Sequence, residues 1–167
     1  VRQELGLPEN CRTVLYAPTF RADLSLDAYC LDYQRLRQAC QQRFGGTWVV
    51  LIRLHPNIMQ QASQLDFDGK TVFNATAYQD MQELLTAVDA VVSDYSSLMF
   101  DFALSRRPCF QFTADIEAYK NDRNVDIPLD SLPFPLAVDN AEMEQRILHF
   151  EDKAYQKKLD AFFAHYG

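Results

Sequence analysis

The sequence predicts an α/β fold in which a parallel β-sheet carries helices on both faces. Short, almost wholly apolar runs alternate along the chain with stretches whose apolar residues recur at helical spacing, and the links between them are short. Apolar runs of this kind are typical of parallel strands that are covered on both faces. Polar side chains follow directly after several of these runs. Because open α/β sheets bind ligands at the carboxyl ends of their strands, this pattern also predicts a binding site.

Five strands account for the apolar runs. The clearest of them is Trp48–Leu54, in which only Arg53 is charged, and Ala90–Val92 is a shorter run of small and β-branched residues. The other predicted strands are Arg12–Pro18, Thr71–Asn74 and Pro108–Thr113.

Helices are predicted between and after these strands. Asp27–Phe44 has an apolar stripe that includes Tyr33 and Leu36, and a Gly-Gly pair ends it. Asp80 is a candidate N-cap within a helix over Tyr78–Ala87. A further helix begins after Ser96 and Ser97, and two helices close the chain: Asn140–Phe150, capped by Asn140, and Ala154–Tyr166. The polar, proline-containing segment Asn121–Asp139 is predicted to be a surface loop.

Length and composition limit the classes of function. A chain of 167 residues predicts one domain, residues 1–167, and the formal net charge of -7 argues against nucleic acid or an anionic membrane surface as a partner. The four cysteines are scattered, so we expect neither a zinc site nor a disulfide framework and place the protein in the cytoplasm. No run approaches the roughly 20 apolar residues that span a bilayer. The first residue is not Met, so we expect a domain cut from a longer protein.

The turn Asp94-Tyr95-Ser96-Ser97 is the first candidate site. It joins a buried strand to a helix, and the free N–H groups at a helix N-terminus attract phosphate. Asp101 lies one turn further on, where its carboxylate could accept hydrogen bonds from ribose hydroxyls. The plainer interpretation, favoured for the serines taken alone, is that they only cap the helix, and Asp94 could orient the loop rather than contact a ligand.

Arg53 and His55 form the second candidate. They stand two positions apart at the end of a strand, so their side chains lie on the same side of an extended chain. Arginine offers a planar fork of donors for phosphate, and histidine can donate to a leaving oxygen or exchange a proton near neutral pH. The alternative is a surface Arg beside a His tied to a backbone carbonyl. Thr19 and Arg21 follow the first strand in the same way, and they could equally be an ordinary loop.

Several familiar active-site motifs are missing from the sequence. It contains no GxGxxG, no GxxxxGK[ST] and no GxSxG. A Ser–His–Asp hydrolase could be assembled on paper from Ser97, His55 and Asp94, but the serine lacks a sharp nucleophile turn.

Taken together, the motifs resemble the C-terminal half of the CDP-glycerol glycerophosphotransferases, the teichoic-acid and capsule polymerases. The resemblance rests on the order and spacing of separate motifs from about Arg12 to Phe163. These are Val14–Arg21, Arg53–Pro56, Ser93–Ser97 with Phe100–Phe102, Pro108 with Phe112, Asp115 with Tyr119, and Leu132–Leu136.

The resemblance implies a GT-B architecture, in which two Rossmann-like domains face each other across a cleft. This chain would be the C-terminal, donor-nucleotide-binding domain. The family transfers glycerol phosphate, or a related polyol phosphate such as ribitol phosphate, from a CDP-linked donor to a growing polymer, and CMP leaves. No cofactor or metal is implied. The polymer acceptor would bind through the N-terminal half, and the whole protein would lie at the inner face of the bacterial cell membrane through regions other than this one.

The resemblance also implies roles for individual residues. His55 would protonate or stabilise the leaving phosphate, with Arg53 beside the donor diphosphate. Ser96 and Ser97 would hold that diphosphate. The remaining implied contacts are Thr19 and Arg21 with the transferred phosphoglycerol, Asp101 and Asp94 with the ribose and nucleotide, and Asn74 and Tyr78 near the cytosine.

The sequence departs from the family pattern in two respects. Arg123 is followed by Asn124 where the family usually has glycine, and Asn124–Leu129 lacks an aromatic residue often found there. The family's second catalytic histidine belongs to the N-terminal half, so we expect this chain to bind a CDP-linked donor with little or no turnover. The alternatives are a sugar-nucleotide transferase of another GT-B family, a non-catalytic nucleotide-binding module, and an α/β domain without a ligand.

Overall fold

The computed structural model describes residues 1–21, 23–27, 29–116 and 129–166. Its centre is a six-stranded sheet in the order β3-β2-β1-β4-β5-β6. Every neighbouring pair of strands is parallel, which confirms the predicted sheet. The strands are β1 (Cys11–Tyr16), β2 (Thr47–Ile52), β3 (Val72–Asn74), β4 (Ala90–Ser93), β5 (Cys109–Phe112) and β6 (Leu136–Ala137).

The strand order reverses between β1 and β4. In open α/β sheets the connections on either side of such a reversal run to opposite faces, which leaves a crevice at the carboxyl ends of the two strands. Here the N–H of Ala17, just past β1, donates to the carbonyl of Val92 in β4 at 3.1 Å, and the N–H of Arg53, just past β2, donates to Tyr16 at 3.0 Å. The exits of β1, β2 and β4 are therefore held side by side.

Five helices and two 3₁₀ helices are described around this sheet. They are α1 (Tyr33–Phe44), α2 (Met81–Ala87), α3 (Leu98–Ala103), α4 (Asn140–Leu148) and α5 (Asp152–Tyr166), with 3₁₀ helices at Pro56–Gln64 and Leu129–Ser131. The predicted capping of α2 by Asp80 is confirmed, since its side chain accepts the N–H groups of Gln82 and Glu83. No helix in the described part of the chain is long and apolar enough to cross a membrane.

Helix α1 starts six residues later than the sequence pattern indicated. Asp32 is its N-cap and accepts the N–H of Arg35 at 2.9 Å. Tyr29 and Leu31 are buried before the helix begins, so apolar residues that suggested another helical turn belong to a packed non-helical segment. The helix ends at Gly45 in a positive-φ conformation (71°), as the glycine pair predicted.

The C-terminal region corrects two further predictions. Leu136–Ala137 pairs with β5 and is a sixth strand inside the segment predicted to be a loop, of which residues 121–128 lie outside the described residues. Asp139, and not Asn140, caps α4 by accepting the N–H of Glu142 at 2.7 Å. The amide of Asn140 instead links two backbone groups ahead of α1, accepting from Asp32 at 2.7 Å and donating to Cys30 at 2.8 Å.

The core lies on both faces of the sheet. Val14, Leu51 and Val91 in the three central strands are completely buried. Burying a Leu or Val side chain stabilises a fold by roughly 1.5–3 kcal/mol, so this apolar centre stabilises the sheet that carries the crevice. Cys40 and Cys109 belong to the same core, as predicted.

Candidate functional site

The residues predicted to form a site follow strands that meet at the reversal of strand order. Thr19 and Arg21 follow β1, Arg53 and His55 follow β2, and Asp94 follows β4. The exits of these three strands are adjacent in the sheet. The fold therefore gathers side chains that are far apart in the sequence at one edge.

Asp94 joins the loop after β1 to the loop after β4. Its side chain is 2% exposed and accepts hydrogen bonds from the backbone N–H of Thr19 (2.9 Å), the hydroxyl of Thr19 (3.0 Å) and the N–H of Tyr95 (2.7 Å). The guanidinium of Arg21 lies 3.0 Å from the same carboxylate. Burial is the largest influence on the pKa of Asp94 and raises it, whereas Arg21 and the backbone donors act in the opposite direction. Asp94 thus orients the β1 loop, and its predicted contact with the nucleotide stays a prediction.

Arg21 is shared between two carboxylates. Besides Asp94, its guanidinium reaches Asp115, with an Nε–Oδ2 distance of 2.5 Å, and lies over the ring of Tyr95 at 5.3 Å from the centroid. The Tyr95 hydroxyl also donates to Asp115 at 3.1 Å. The positive charge of Arg21 is therefore compensated inside the protein, and the predicted contact between Arg21 and phosphoglycerol stays a prediction.

Arg53 has a different environment. One of its terminal N–H groups donates to the carbonyl of Gln79 at 3.0 Å, while its Nε is buried and has no hydrogen-bond partner in the described part of the chain. Within the described residues no carboxylate forms an ion pair with it. Burial lowers the pKa of Arg53, against the opposing influence of Asp80, but an arginine stays charged at neutral pH. Arg53 is thus a cation with unused donors at the crevice, which suits an anionic ligand.

His55 is held by the turn that follows it. Its Nδ1 accepts the backbone N–H of Asn57 at 3.2 Å, and its ring packs against Phe20 with the two ring centroids 4.4 Å apart. Partial burial, and next the charge of Arg53, lower the pKa of the imidazole. Because the ordinary histidine pKa is about 6.5, the ring is mostly neutral at pH 7.

The two serines at the start of α3 are weakly engaged. Ser97 occupies the N-cap position but its side chain makes no capping hydrogen bond, and Ser96 Oγ receives the N–H of Leu98 only at a long 3.4 Å. The predicted capping of α3 is therefore at most weak, and the side chain that provides it is Ser96. No backbone bond of the described chain uses the N–H groups of Ser96 and Ser97. Both hydroxyls and both N–H groups are available to a ligand.

The three remaining predicted residues lie on separate segments. Asp101 is exposed on α3 and accepts from the Gln82 amide at 3.1 Å. Asn74 ends β3 and accepts the N–H of Thr76 at 2.9 Å. Tyr78 donates to Glu83 at 2.6 Å, which raises the pKa of its phenol to about 12. Their contacts with ribose and cytosine stay predictions.

Sequence reasoning did not assign a role to Phe20 or Asn57. Both contact His55, the first through its ring and the second through its backbone. Pro56 was the available signal, since proline favours the first position of a helix and leaves the next N–H in need of a cap.

A cavity of about 820 Å³ lies away from this crevice, between the Leu132–Leu136 segment and helices α4 and α5. None of the predicted site residues lines it. We therefore place the candidate site at the crevice, because Arg53, which forms no ion pair among the described residues, follows β2 next to the reversal of strand order. In the part of the chain that the structure covers, no group of three or more His, Cys, Asp or Glu residues could hold a metal ion.

The strand order and the polar crevice define a Rossmann-like α/β domain of the GT-B type. The family model described as CDP-Glycerol:Poly(glycerophosphate) glycerophosphotransferase matches residues 1–166. The chain belongs to that family.

Characterised relatives agree with this membership. The chain is 30% identical to the teichoic acid poly(glycerol phosphate) polymerase of Staphylococcus epidermidis, over 98% of this chain and 23% of the relative. It is also 30% identical to the teichoic acid ribitol-phosphate primase of Bacillus spizizenii, over 90% of this chain and 38% of the relative. Among solved structures, the wall teichoic acid polymerase TagF (H548A) matches with a TM-score of 0.76 and 27% identity, over 98% of this chain and 40% of that one. The chain thus spans less than half the length of these proteins.

Proposed function

We propose that this chain is the donor-binding domain of a CDP-polyol-dependent polyol-phosphate transferase that builds teichoic acid or a capsular polymer. The substrate would be CDP-glycerol or a related CDP-polyol such as CDP-ribitol. Family membership over residues 1–166 supports this class. The names of the relatives include both glycerol-phosphate and ribitol-phosphate enzymes, and one TagF structure was obtained after a soak described as CDPG. Since these names cover both polyols, the choice between them stays open.

The observation that carries the proposal is the guanidinium of Arg53, near His55 in the sequence, which pairs with no carboxylate of the described residues. Both residues follow β2, next to β1, where the strand order reverses. A diphosphate would supply the anion that Arg53 lacks among the described residues, in a fork geometry that arginine matches. The free N–H groups of Ser96 and Ser97, on the other side of β1, would hold the same diphosphate.

The reaction then proceeds by phosphoryl substitution. The hydroxyl oxygen of the acceptor forms a bond to the phosphorus of the polyol phosphate, and the bond from that phosphorus to the bridging oxygen breaks. The electron pair leaves with CMP, and the hydroxyl proton passes to a base or to solvent. Arg53 and His55 would stabilise the charge that develops on the leaving phosphate, which is the usual source of rate enhancement in such sites. In this scheme the CDP-linked donor is a substrate, and the polymer acceptor would be bound by other parts of the enzyme.

Calorimetric titration of the chain with CDP-glycerol, CDP-ribitol and a UDP-sugar tests the proposal. We expect at least one CDP-polyol to bind, and the UDP-sugar to bind about tenfold more weakly or not at all, which corresponds to roughly 1.4 kcal/mol of discrimination between the two donors. Equal affinity for the UDP-sugar would favour a sugar-nucleotide transferase. Absence of binding to every nucleotide would overturn the proposal.

A further inference from the structure

The turn after β2 determines which ring nitrogen of His55 carries the proton. His55 is the N-cap of the 3₁₀ helix Pro56–Gln64, with φ -63° and ψ 144°. Its Nδ1 lies 3.2 Å from the backbone nitrogen of Asn57. A backbone N–H can only donate, so Nδ1 must supply a lone pair and cannot carry a proton.

Proline makes this contact specific. Pro56 has no N–H, and the N–H of Ile58 already donates to the carbonyl of His55 at 3.0 Å. Asn57 therefore carries the first N–H of the turn that lacks a backbone acceptor within the described chain, and His55 Nδ1 satisfies it. The sequence His-Pro thus pairs a side-chain acceptor with the one N–H that needs it.

Phe20 restricts rotation of the same ring. Its centroid lies 4.4 Å from the imidazole centroid and the planes are inclined by 37°. Turning the imidazole over about its Cβ–Cγ bond would put Cδ2 in the place of Nδ1, which would break the bond to Asn57 and move the ring against this aromatic face. Two contacts from different segments therefore select one orientation.

We infer that His55 is held as the neutral Nε2–H tautomer, and that the Asn57 N–H and the Phe20 ring are the groups that position it as a hydrogen-bond donor. The inference rests on the proposed function for the identity of the acceptor, which would be an oxygen of the leaving phosphate. In this role the imidazole donates a hydrogen bond and transfers no proton, so CMP leaves as its phosphate anion. The lone pair on Nδ1 is engaged and does not serve as a general base.

Nitrogen-15 NMR of the histidine-labelled chain, above the ordinary histidine pKa of about 6.5, tests the tautomer without any ligand. The chain has three histidines, and the spectrum of His55→Gln identifies the signals of His55. We expect protonation at Nε2 alone. Protonation at Nδ1, or a mixture of the two tautomers, would overturn the inference.

Two substitutions of Asn57 distinguish the effect of its backbone N–H on His55 from the effect of its side chain. Asn57→Ala keeps the N–H and is expected to leave the His55 signals in the same tautomer. Asn57→Pro removes the N–H, and we expect it to release the ring into a mixture. If the Asn57→Pro chain retains only the Nε2–H tautomer, the role of the Asn57 N–H is overturned. If that variant does not fold, the spectrum of the unaltered chain still decides which tautomer His55 adopts.

A matched pair of isosteres tests the donor. The amide nitrogen of Gln reaches the position of Nε2, whereas the amide of Asn reaches only that of Nδ1. We expect His55→Gln to retain CDP-glycerol affinity within about threefold and His55→Asn to lose about tenfold, the effect of one hydrogen bond to a charged group. The reverse order would overturn the inference. If His55 is the Nε2–H tautomer but the chain binds no CDP-polyol, the tautomer is supported and the proposed function is overturned. If His55 carries its proton on Nδ1 but the chain binds CDP-glycerol, the proposed function is supported and the inference about the tautomer is overturned.

Discussion

Arg21 and Asp94 form an ion pair of 3.0 Å with both side chains shielded from solvent, 12% and 2% exposed. The pair ties the loop after β1 to the loop after β4 across 73 residues of sequence. Arg53 is on the same edge of the sheet but has no such partner among the described residues. Arg21 therefore braces the crevice, whereas Arg53 is the arginine to which we assign the proposed contact with a ligand.

Asp94→Asn should destabilise the fold strongly. Removing one partner of a buried ion pair costs about 3–5 kcal/mol, and we expect about 3 kcal/mol here because Asp115 still faces Arg21. Asp115→Asn is the matched control. Its side chain is 22% exposed, so the expected loss is about 1 kcal/mol. Urea unfolding of the three chains measures both values, and equal losses in the two variants would contradict the bracing role of Asp94.

Arg53→Gln should lower the affinity for the CDP-linked donor strongly while changing the free energy of unfolding only slightly. The variant loses one hydrogen bond, to Gln79, so its free energy of unfolding should fall by about 1 kcal/mol or less. Its affinity for CDP-glycerol should fall at least about tenfold, because a charge-assisted contact to phosphate is lost. Arg37→Gln, on α1, removes one positive charge from a helix and should bind normally. Unchanged affinity in Arg53→Gln, measured by calorimetry, would remove Arg53 from the site.

Ser97→Ala distinguishes a helix cap from a ligand contact. Because the Ser97 hydroxyl makes no capping bond, we expect its loss to change the free energy of unfolding by less than about 0.5 kcal/mol. Affinity for CDP-glycerol should nevertheless fall. A stability loss of about 1 kcal/mol or more with normal binding is the signature of a cap and would speak against contact with the donor.

The lowering of the His55 pKa by partial burial and by Arg53 predicts a dependence of stability on pH. Since burial and Arg53 lower the folded-state pKa below the unfolded value, the unfolded chain binds the proton more readily. The stabilising contribution is full above the unfolded pKa of about 6.5 and is lost as the pH falls through the folded value. His55→Asn lacks this titration and keeps a capping side chain. The unfolding free energy of the unaltered chain minus that of His55→Asn should therefore decrease as the pH falls below about 6.5, and a value that does not change with pH would contradict the shift.

The sequence predicted the strands well because the central ones are buried on both faces. Runs such as Trp48–Leu54 are almost wholly apolar, and that pattern depends on no distant partner. The sixth strand was missed because Leu136–Ala137 has only two residues and stands beside Pro135, a residue typical of loops. The start of α1 was placed too early because Tyr29 is buried by tertiary packing and not by a helical face.

The gathering of the candidate residues at one edge of the sheet was predictable, but the partners of their side chains were not. The position of Arg53 after a strand end was enough to suggest a ligand contact. Arg21 has the same signal, yet Asp94 and Asp115 lie 73 and 94 residues away from it, and only the fold brings them to its guanidinium. The Nδ1 contact of His55 is the opposite case, since it depends on the local sequence His-Pro-Asn.

The most direct test is a crystal structure of the chain with CDP-glycerol. We predict that the diphosphate lies at the carboxyl ends of β2 and β4, with Arg53 and the N–H groups of Ser96 and Ser97 as donors and His55 Nε2 facing a phosphate oxygen. Density for the nucleotide in the cavity beside Leu132–Leu136, with an empty crevice, would contradict it.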